Sequence, residues 1–412
     1  MCPPLGVPRL PSSNNTSKTK NQYEVRRLRL ASTPQLDALA RSAGNLYSTV
    51  VVDFWRTVRK HGIWLKPSAM MRWHTSNQLH AHSADAVVQS FYAALKSWRK
   101  RRKTDPQAKP PYRRRRYFRV QWKSSAIRVR DGKLILSNGR GNAPLVVPWL
   151  WETPVLVELG WADSAYELRA VYSRPQVEPV TEGGVVGTDL GEVHLAVVHD
   201  GERTTIYNGR ELRAKRQYQN KLKARLASKL SRLQKGSRRW RKLQRSMRKQ
   251  LRKLDHQIWD ILHKQTTTLV STLHSSRVQT VVIGDVRDLR RRVDYGPAVN
   301  QRIHQMVSGK VRWLITYKAE RLGMRVVLQD EAYTSQACPR CGCRHKPKGR
   351  VYTCPACEFR FHRDGVGAIN IRRKYLGLGP VVGVMASPTG VRWNPHLRAR
   401  VARDERERIP AL

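Results

Sequence analysis

Apolar residues recur along this chain at two spacings, and the switches between them mark its elements. Tyr23, Val25, Leu28 and Leu30 stand among charges as a strand does, and Ser32-Thr33-Pro34 then offers a helix start. A helix is predicted from Pro34 to about Lys60, and a second from Ser83 to about Lys100, where Ala84, Val87, Val88, Phe91, Leu95 and Trp98 recur three and four apart. Ile127 to Leu136 alternates about Asp131-Gly132, which predicts a hairpin, and further strands follow at 145–147, 155–159 and 166–172. The next two helices are amphipathic: Leu222, Leu226, Leu230 and Leu233 line one, Trp240, Leu243, Met247, Leu251 and Leu254 the other, with a break at Lys235-Gly236-Ser237. The second of them continues through Trp259, Leu262 and Leu269 and is expected to anchor in a core.

Four apolar strands remain, and each is followed closely by an acid. They are Gly184 to Thr188 before Asp189, Val193 to Val198 before Asp200, Val278 to Ile283 before Gly284-Asp285, and Arg325 to Leu328 before Gln329-Asp330-Glu331. Asp364 opens a short helix through Ile371. Acids are scarce here, because 79 Lys+Arg stand against 30 Asp+Glu for a net charge of +49. That balance exceeds what solubility requires and points to a polyphosphate partner held largely by counterion release. Two basic stretches should carry the contact. One is Arg113, Arg114, Arg115 and Arg116 between Tyr112 and Tyr117, where aromatics can stack on exposed bases. The other is the helix pair, with 18 Lys/Arg and one acid from Glu211 to Lys253, among them Lys235, Arg238, Arg239, Arg241 and Lys242.

A few isolated carboxylates on strand ends suit phosphodiester hydrolysis by two divalent metals, in which acids from distant stretches converge on one point. The chain therefore reads as an RNase H-like nuclease. Cys338-Pro339-Arg340-Cys341 and Cys354-Pro355-Ala356-Cys357 form two CxxC knuckles able to close a tetrahedral Zn²⁺ site, which is structural because no position stays open for water. Cys343, His345 and His362 are nearby substitutes as ligands, and Cys2 stands apart. No stretch reaches the roughly 20 apolar residues of a membrane span, and the start of the chain lacks a signal-peptide apolar region, so an intracellular, cytoplasmic setting is expected.

These motifs bring a family into view. GTDLG around Asp189, Tyr333-Thr334-Ser335-Gln336 before CPxCG, CPACEFRFHRD and the following AIN resemble the RuvC nuclease half of transposon TnpB proteins and of the miniature type V CRISPR effectors. The resemblance covers about residues 184–375 and is weaker over 22–180. It implies an α/β RNase H-like (RuvC) nuclease domain over 181–334 and 359–376, with an inserted four-cysteine zinc ribbon at 335–358 that touches the target nucleic acid. It also implies a β-barrel wedge domain, 22–32 and 109–180, interrupted by a helical recognition domain, 33–108. Flexible tails are expected at 1–21 and 377–412. In that family the protein binds a guide RNA, reads a short motif beside the target, and cuts DNA opened by RNA pairing in a single RuvC site. Two Mg²⁺, or Mn²⁺, and one structural Zn²⁺ are the implied cofactors. Guide RNA and target DNA are the implied partners, with monomer and homodimer both open.

One departure matters. The family's second RuvC strand typically ends in a Glu, where this chain has Gly284. Fanzor-like relatives carry a relocated glutamate shortly before the Thr-Ser that precedes the zinc knuckle, and Glu331 occupies that place. The resemblance thus implies Asp189, Glu331 and Asp364 as the catalytic acids, with Asp285 in reserve. If neither Glu331 nor Asp285 substitutes, a guided binder without cleavage results. An unguided zinc-ribbon binder would explain charge and cysteines but not the acids, and a DNA transposase would share the carboxylates but need no RNA.

Overall fold

The computed structural model describes residues 22–162, 165–285, 296, 300–301, 306–347, 349–379 and 386–392. The tails expected at 1–21 and 377–412 lie outside the described residues, apart from 377–379 and 386–392, and so does Cys2. The chain divides into two compact units, Met1–Gln176 and Val177–Leu412.

In the first unit, β1 (Gln22–Leu30) leads into α1 (Pro34–His61). Thr33 caps the helix, its hydroxyl accepting from the Leu36 amide, and Pro34 occupies the first turn, where its missing N–H goes unneeded. Helices α2 (Pro67–Trp73) and α3 (Ala81–Arg102) follow. α2 was not legible as a period, since seven residues give only two turns. Leu39, Val50 and Phe54 of α1 and Val87, Val88 and Phe91 of α3 share one core with Trp122, and burying such side chains contributes about 1.5–3 kcal/mol each.

The basic segment after α3 is irregular and is tied along α1. The Phe118 amide donates to the Ala40 carbonyl at 2.9 Å, the Arg115 amide to Ser48 Oγ at 2.9 Å and Trp55 Nε1 to the Pro111 carbonyl at 3.2 Å. Arg113, Arg114, Arg115 and Arg116 stay exposed. Strands β2 (Val120–Lys123), β6 (Leu156–Ala162) and β7 (Ala165–Arg174) complete a four-stranded sheet in the order β1-β7-β6-β2. β1 pairs antiparallel with β7 along its whole length, Gln22 opposite Arg174 and Leu30 opposite Tyr166, so the helices interrupt this sheet in sequence. A separate three-stranded sheet joins β3 (Ile127–Arg130), β4 (Lys133–Leu136) and β5 (Leu145–Pro148). Its hairpin turns at Asp131-Gly132, both at positive φ, the conformation of a two-residue primed turn.

The second unit is built on a six-stranded mixed sheet. β8 (Gly184–Asp189), β11 (Val278–Asp285) and β12 (Arg325–Asp330) run parallel, while β9 (His194–His199) is antiparallel to both β8 and β10 (Thr204–Asn208). β15 (Thr389–Val391) lies beside β10, so this part of the tail expected from 377 is instead an edge strand, and the sheet order is β12-β11-β8-β9-β10-β15. Residues alternate across a strand, so Val186, Val281 and Ile283 enter the core formed with α5 (Arg238–Ser275) and α6 (Ser308–Glu320). On β8 that leaves Gly187 against α7 (Arg363–Leu376), where a Cβ would run into the Ala368 carbonyl of the helix.

α4 (Arg210–Ser231) and α5 form the expected basic hairpin, packed through Leu222, Leu226 and Leu254. Ser237 caps α5 by accepting from the Trp240 amide, and α5 runs on into the core through Ile258, Leu262 and Leu269. Lys235, Arg238, Arg239, Arg241 and Lys242 lie at the bend and first turn, toward solvent. Between β12 and α7 the chain forms a two-stranded ribbon, β13 (Val351–Thr353) with β14 (Arg360–His362). Among the described residues no helix is long and apolar enough to cross a membrane.

Candidate functional site

Parallel pairing puts the ends of β8, β11 and β12 on one edge of the sheet. β8 ends at Asp189, and Asp285 ends β11 in register with Asp330 of β12, which Glu331 follows directly. The first turn of α7 adds Asp364 from the far side of the cysteine ribbon. Among the described residues the Asp189, Glu331 and Asp364 carboxyls do not all lie within 4.8 Å of one another, and Asp364 groups instead with His194 and His362. Two glycines allow the close approaches that are made on this edge. A Cβ at Gly367 would stand 2.5 Å from Asp189 Oδ2, so the helix can lie against this carboxylate only without a side chain there. A Cβ at Gly284 would overlap the Glu331 carboxyl itself. The Glu331 side chain therefore occupies the space into which a side chain from the end of β11 would grow.

The charges respond to this crowding. Burial, then the fields of Glu331 and Asp364, hold the Asp189 carboxyl well above the usual carboxylate range, against a smaller opposing pull from Arg363. Burial, then Asp285 and Asp330, push Glu331 up to about 7. Oε1 of Glu331 and Oγ1 of Thr188 are buried without a hydrogen-bond partner. Crowded acceptors with an orphaned buried oxygen and few donors fit hard divalent cations, which take oxygen ligands. The other two acids of this edge are engaged elsewhere. Asp330 Oδ2 accepts from Lys374 Nζ at 2.7 Å, and Asp285 lies 3.5 Å from the Arg312 guanidinium.

The four knuckle cysteines meet as their spacing predicts. Sγ of Cys338 is 3.6 Å from that of Cys357, Sγ of Cys341 is 3.5 Å from that of Cys354, and all four lie within 4.8 Å of one another. Zn–S bonds of about 2.3 Å in a tetrahedron set sulfurs nearly that far apart, so the residues fit zinc. Burial raises the Cys354 thiol, but hydrogen bonds from the Ala356 and Cys357 amides and from the Cys341 and Cys357 thiols together draw it down to about 6, while burial pushes the neighbouring Cys338 thiol the other way, up to about 12. Cys343 and His345 are not in the cluster. Asn370 of α7 ties that helix to the segment between β12 and the ribbon, its amide donating to the carbonyls of Thr334 and Ala337 at 2.7 Å each.

His362 falls in a different group, which the sequence reading passed over. His194 and His362 present rings 5.1 Å apart beside Asp364, and the His194 Nε2 is 3.9 Å from Asp364 Oδ2. Burial lowers both histidines below their ordinary range. A histidine in the otherwise apolar run Val193 to Val198 was the available signal for His194.

Residues 169–290 match a family described as a probable transposase (OrfB_IS605), and residues 309–371 match the Cas12f1-like TNB domain. The chain is a relative of the TnpB-like proteins. It is 29% identical over 140 residues to TnpB-like protein MJ0751 of Methanocaldococcus jannaschii, covering 34% of this chain and 50% of that protein. It is 30% identical over 199 residues to the putative RNA-guided DNA endonuclease InsQ of Escherichia coli K12, covering 45% of this chain and 48% of that one. The chain thus spans about half the length of each. The cryo-EM structure of a Cas12f1-sgRNA-target DNA complex superposes with a TM-score of 0.57 over 82% of this chain and 81% of that chain, at 12% identity, a likeness of fold.

Proposed function

We propose that this TnpB relative is an RNA-guided DNA endonuclease that hydrolyses target DNA at one RuvC-type site formed by Asp189, Glu331 and Asp364. The observation that carries the reading is the Glu331 carboxyl in the side-chain space of Gly284, which supplies from just beyond β12 the acid missing at position 284 of β11. On this reading the second unit is an RNase H-like nuclease with an inserted zinc ribbon. The four-stranded sheet and the helices that interrupt it correspond to wedge and recognition domains, and α4 with α5 offers phosphate contacts.

Asp189, Glu331 and Asp364 would hold two Mg²⁺ or Mn²⁺ ions, which when bound activate water and stabilise the leaving 3′ oxygen. The chain's own part is positional. Asp189 ends β8, Glu331 directly follows β12 and Asp364 opens α7, while Asp330 accepts from Lys374 instead. Asn370 fixes the segment after Glu331 against the helix that carries Asp364.

The test is to express the protein with its native flanking DNA, purify it at high salt, sequence the RNA that remains, and offer plasmids bearing the complementary target. Cleavage that needs the RNA, the target and a divalent ion is expected. Repeat-spacer RNA would assign a CRISPR effector and a single 3′-flank RNA a transposon nuclease. Random cellular RNA without targeted cutting would overturn the guided reading.

A further inference from the structure

The first unit holds a 650 Å³ cavity beneath the basic segment, of a size that ligand sites commonly have. It is lined mostly by apolar surface, with aromatic walls and one acid. Tyr117 and Trp161 line it and remain 42% and 58% exposed, although rings of this size are ordinarily covered. Arg115 and Arg119 border it, and Tyr166 lies at its inner side, edge-on to Trp161 at 4.8 Å. Asp37, in the first turn of α1, is the cavity's acid. Its Oδ1 accepts from the Tyr166 hydroxyl at 2.6 Å, and both its oxygens lie 3.4 Å from Ser32 Oγ. A carboxylate has about four lone-pair sites, so acceptor capacity remains toward the cavity.

Each part suits an unpaired nucleobase. Exposed aromatics stack on the π-face that every base offers, and arginines at the rim meet the flanking phosphates. The acid then discriminates among bases. Guanine presents two adjacent donors, N1–H and the exocyclic amine, which a carboxylate can accept together. Adenine and cytosine set a donor beside an acceptor, and uracil flanks its single N–H with carbonyl oxygens that a carboxylate repels. We propose that the Asp37, Tyr117 and Trp161 cavity captures one unstacked guanine of a single-stranded nucleic acid.

The inference rests on the reading of this chain as a nucleic-acid-binding protein, and the test separates the two. The full-length protein, freed of bound nucleic acid, is titrated into a fluorescein-labelled oligouridine of about twelve nucleotides bearing one central guanosine, and into the same oligomer with uridine, adenosine or cytidine there. Anisotropy is read at moderately high salt, where phosphate contacts no longer dominate. Guanosine is expected to tighten binding roughly tenfold over uridine, the scale of one stacked and paired base.

Asp37→Asn keeps an oxygen for Tyr166 but replaces an acceptor with a donor, so it should erase the guanosine-to-uridine ratio. Trp161→Ala should shrink that ratio severalfold. Because the readout is a ratio, a general loss of affinity from misfolding does not imitate the result. A 6-thioguanosine at the central position should photocrosslink to the peptide carrying Tyr117 or Trp161. Deoxy versions name the source: a preference confined to RNA assigns the guide, and one shared by DNA assigns the opened target strand. Equal affinity for all four oligomers, or a guanosine preference that survives Asp37→Asn, overturns the pocket and leaves the nucleic-acid reading intact. Failure to bind any of the oligomers even at low salt overturns both.

Discussion

The cysteine cluster and the carboxylate edge of the second unit gather their side chains in opposite ways. The cysteines all come from residues 338–357, on two knuckles, and their sulfurs already stand at zinc-like separations. The carboxylates come from β8, the end of β12 and the start of α7, and crowding pushes Asp189 and Glu331 toward protonation. The first arrangement makes a fold out of a segment with little core of its own. The second is strain that the rest of the fold must hold. Removing a metal should therefore undo structure in one site and only function in the other.

The largest effect is expected at the cysteines. A structural zinc site contributes on the order of 10 kcal/mol of apparent binding energy to the segment it folds. Cys354→Ala should abolish stoichiometric zinc in elemental analysis and strip hydrogen-exchange protection from residues 338–362. Loss should then reach the carboxylates, since Glu331 and Asp364 flank the ribbon. Full protection and one zinc per chain in that variant would show that the four sulfurs are not the ligands.

Asp189→Ala tests the other side. It should lower guided cleavage by about a thousandfold, roughly 4 kcal/mol of barrier, while target binding and the melting temperature hold or rise, because a crowded acid has been removed. A melting temperature well below that of the parent would mean that Asp189 supports the fold rather than burdening it.

A smaller effect isolates Glu331. Gly284→Ala sets a methyl group where its carboxyl lies, and cleavage should fall roughly tenfold to a hundredfold with DNA binding retained. Glu331→Ala should cost about as much or more, and Gly284→Glu combined with Glu331→Ala should recover part of the loss, since the acid then enters the same space from β11. A double variant no better than Glu331→Ala would place the working acid elsewhere.

The contrast between the sites also governs what the sequence revealed. Two CxxC pairs state their ligand set locally, and Cys343 and His345 proved to lie outside it. Asp189 and Asp364 were legible because each ends or begins a clear element in a chain poor in acids. The choice between Glu331 and Asp285 was not written locally. It depends on Gly284, whose missing side chain leaves room for the Glu331 carboxyl, and on Arg312, which lies 3.5 Å from Asp285. His194 was missed for the same reason, since its neighbours His362 and Asp364 come from the far end of the unit. In the first unit the 22–30 strand was readable from its alternation, but its partner, β7, lies more than a hundred residues away. Short α2 and β10 left too few repeats for a period to show.

The mildest prediction is the most direct measure of the strain. Burial and neighbouring acids raise Glu331 to about 7, above its value of 4.5 in an unfolded chain, so the folded state binds that proton more tightly. Its contribution to metal-free stability is complete below about pH 4.5 and is lost as pH rises through about 7. A divalent cation binds the ionised carboxyl and must displace the proton below pH 7, so apparent Mg²⁺ affinity should fall by up to about tenfold per unit there. Thermal melts at pH 5 and pH 8, with and without Mg²⁺, check this. Mg²⁺ should raise the midpoint more at the higher pH, and Glu331→Gln, which cannot titrate, should narrow the difference. Equal stabilisation at both pH values in the parent would mean that Glu331 does not face the cation, and the comparison between a site that builds structure and one that strains it would lose its second term.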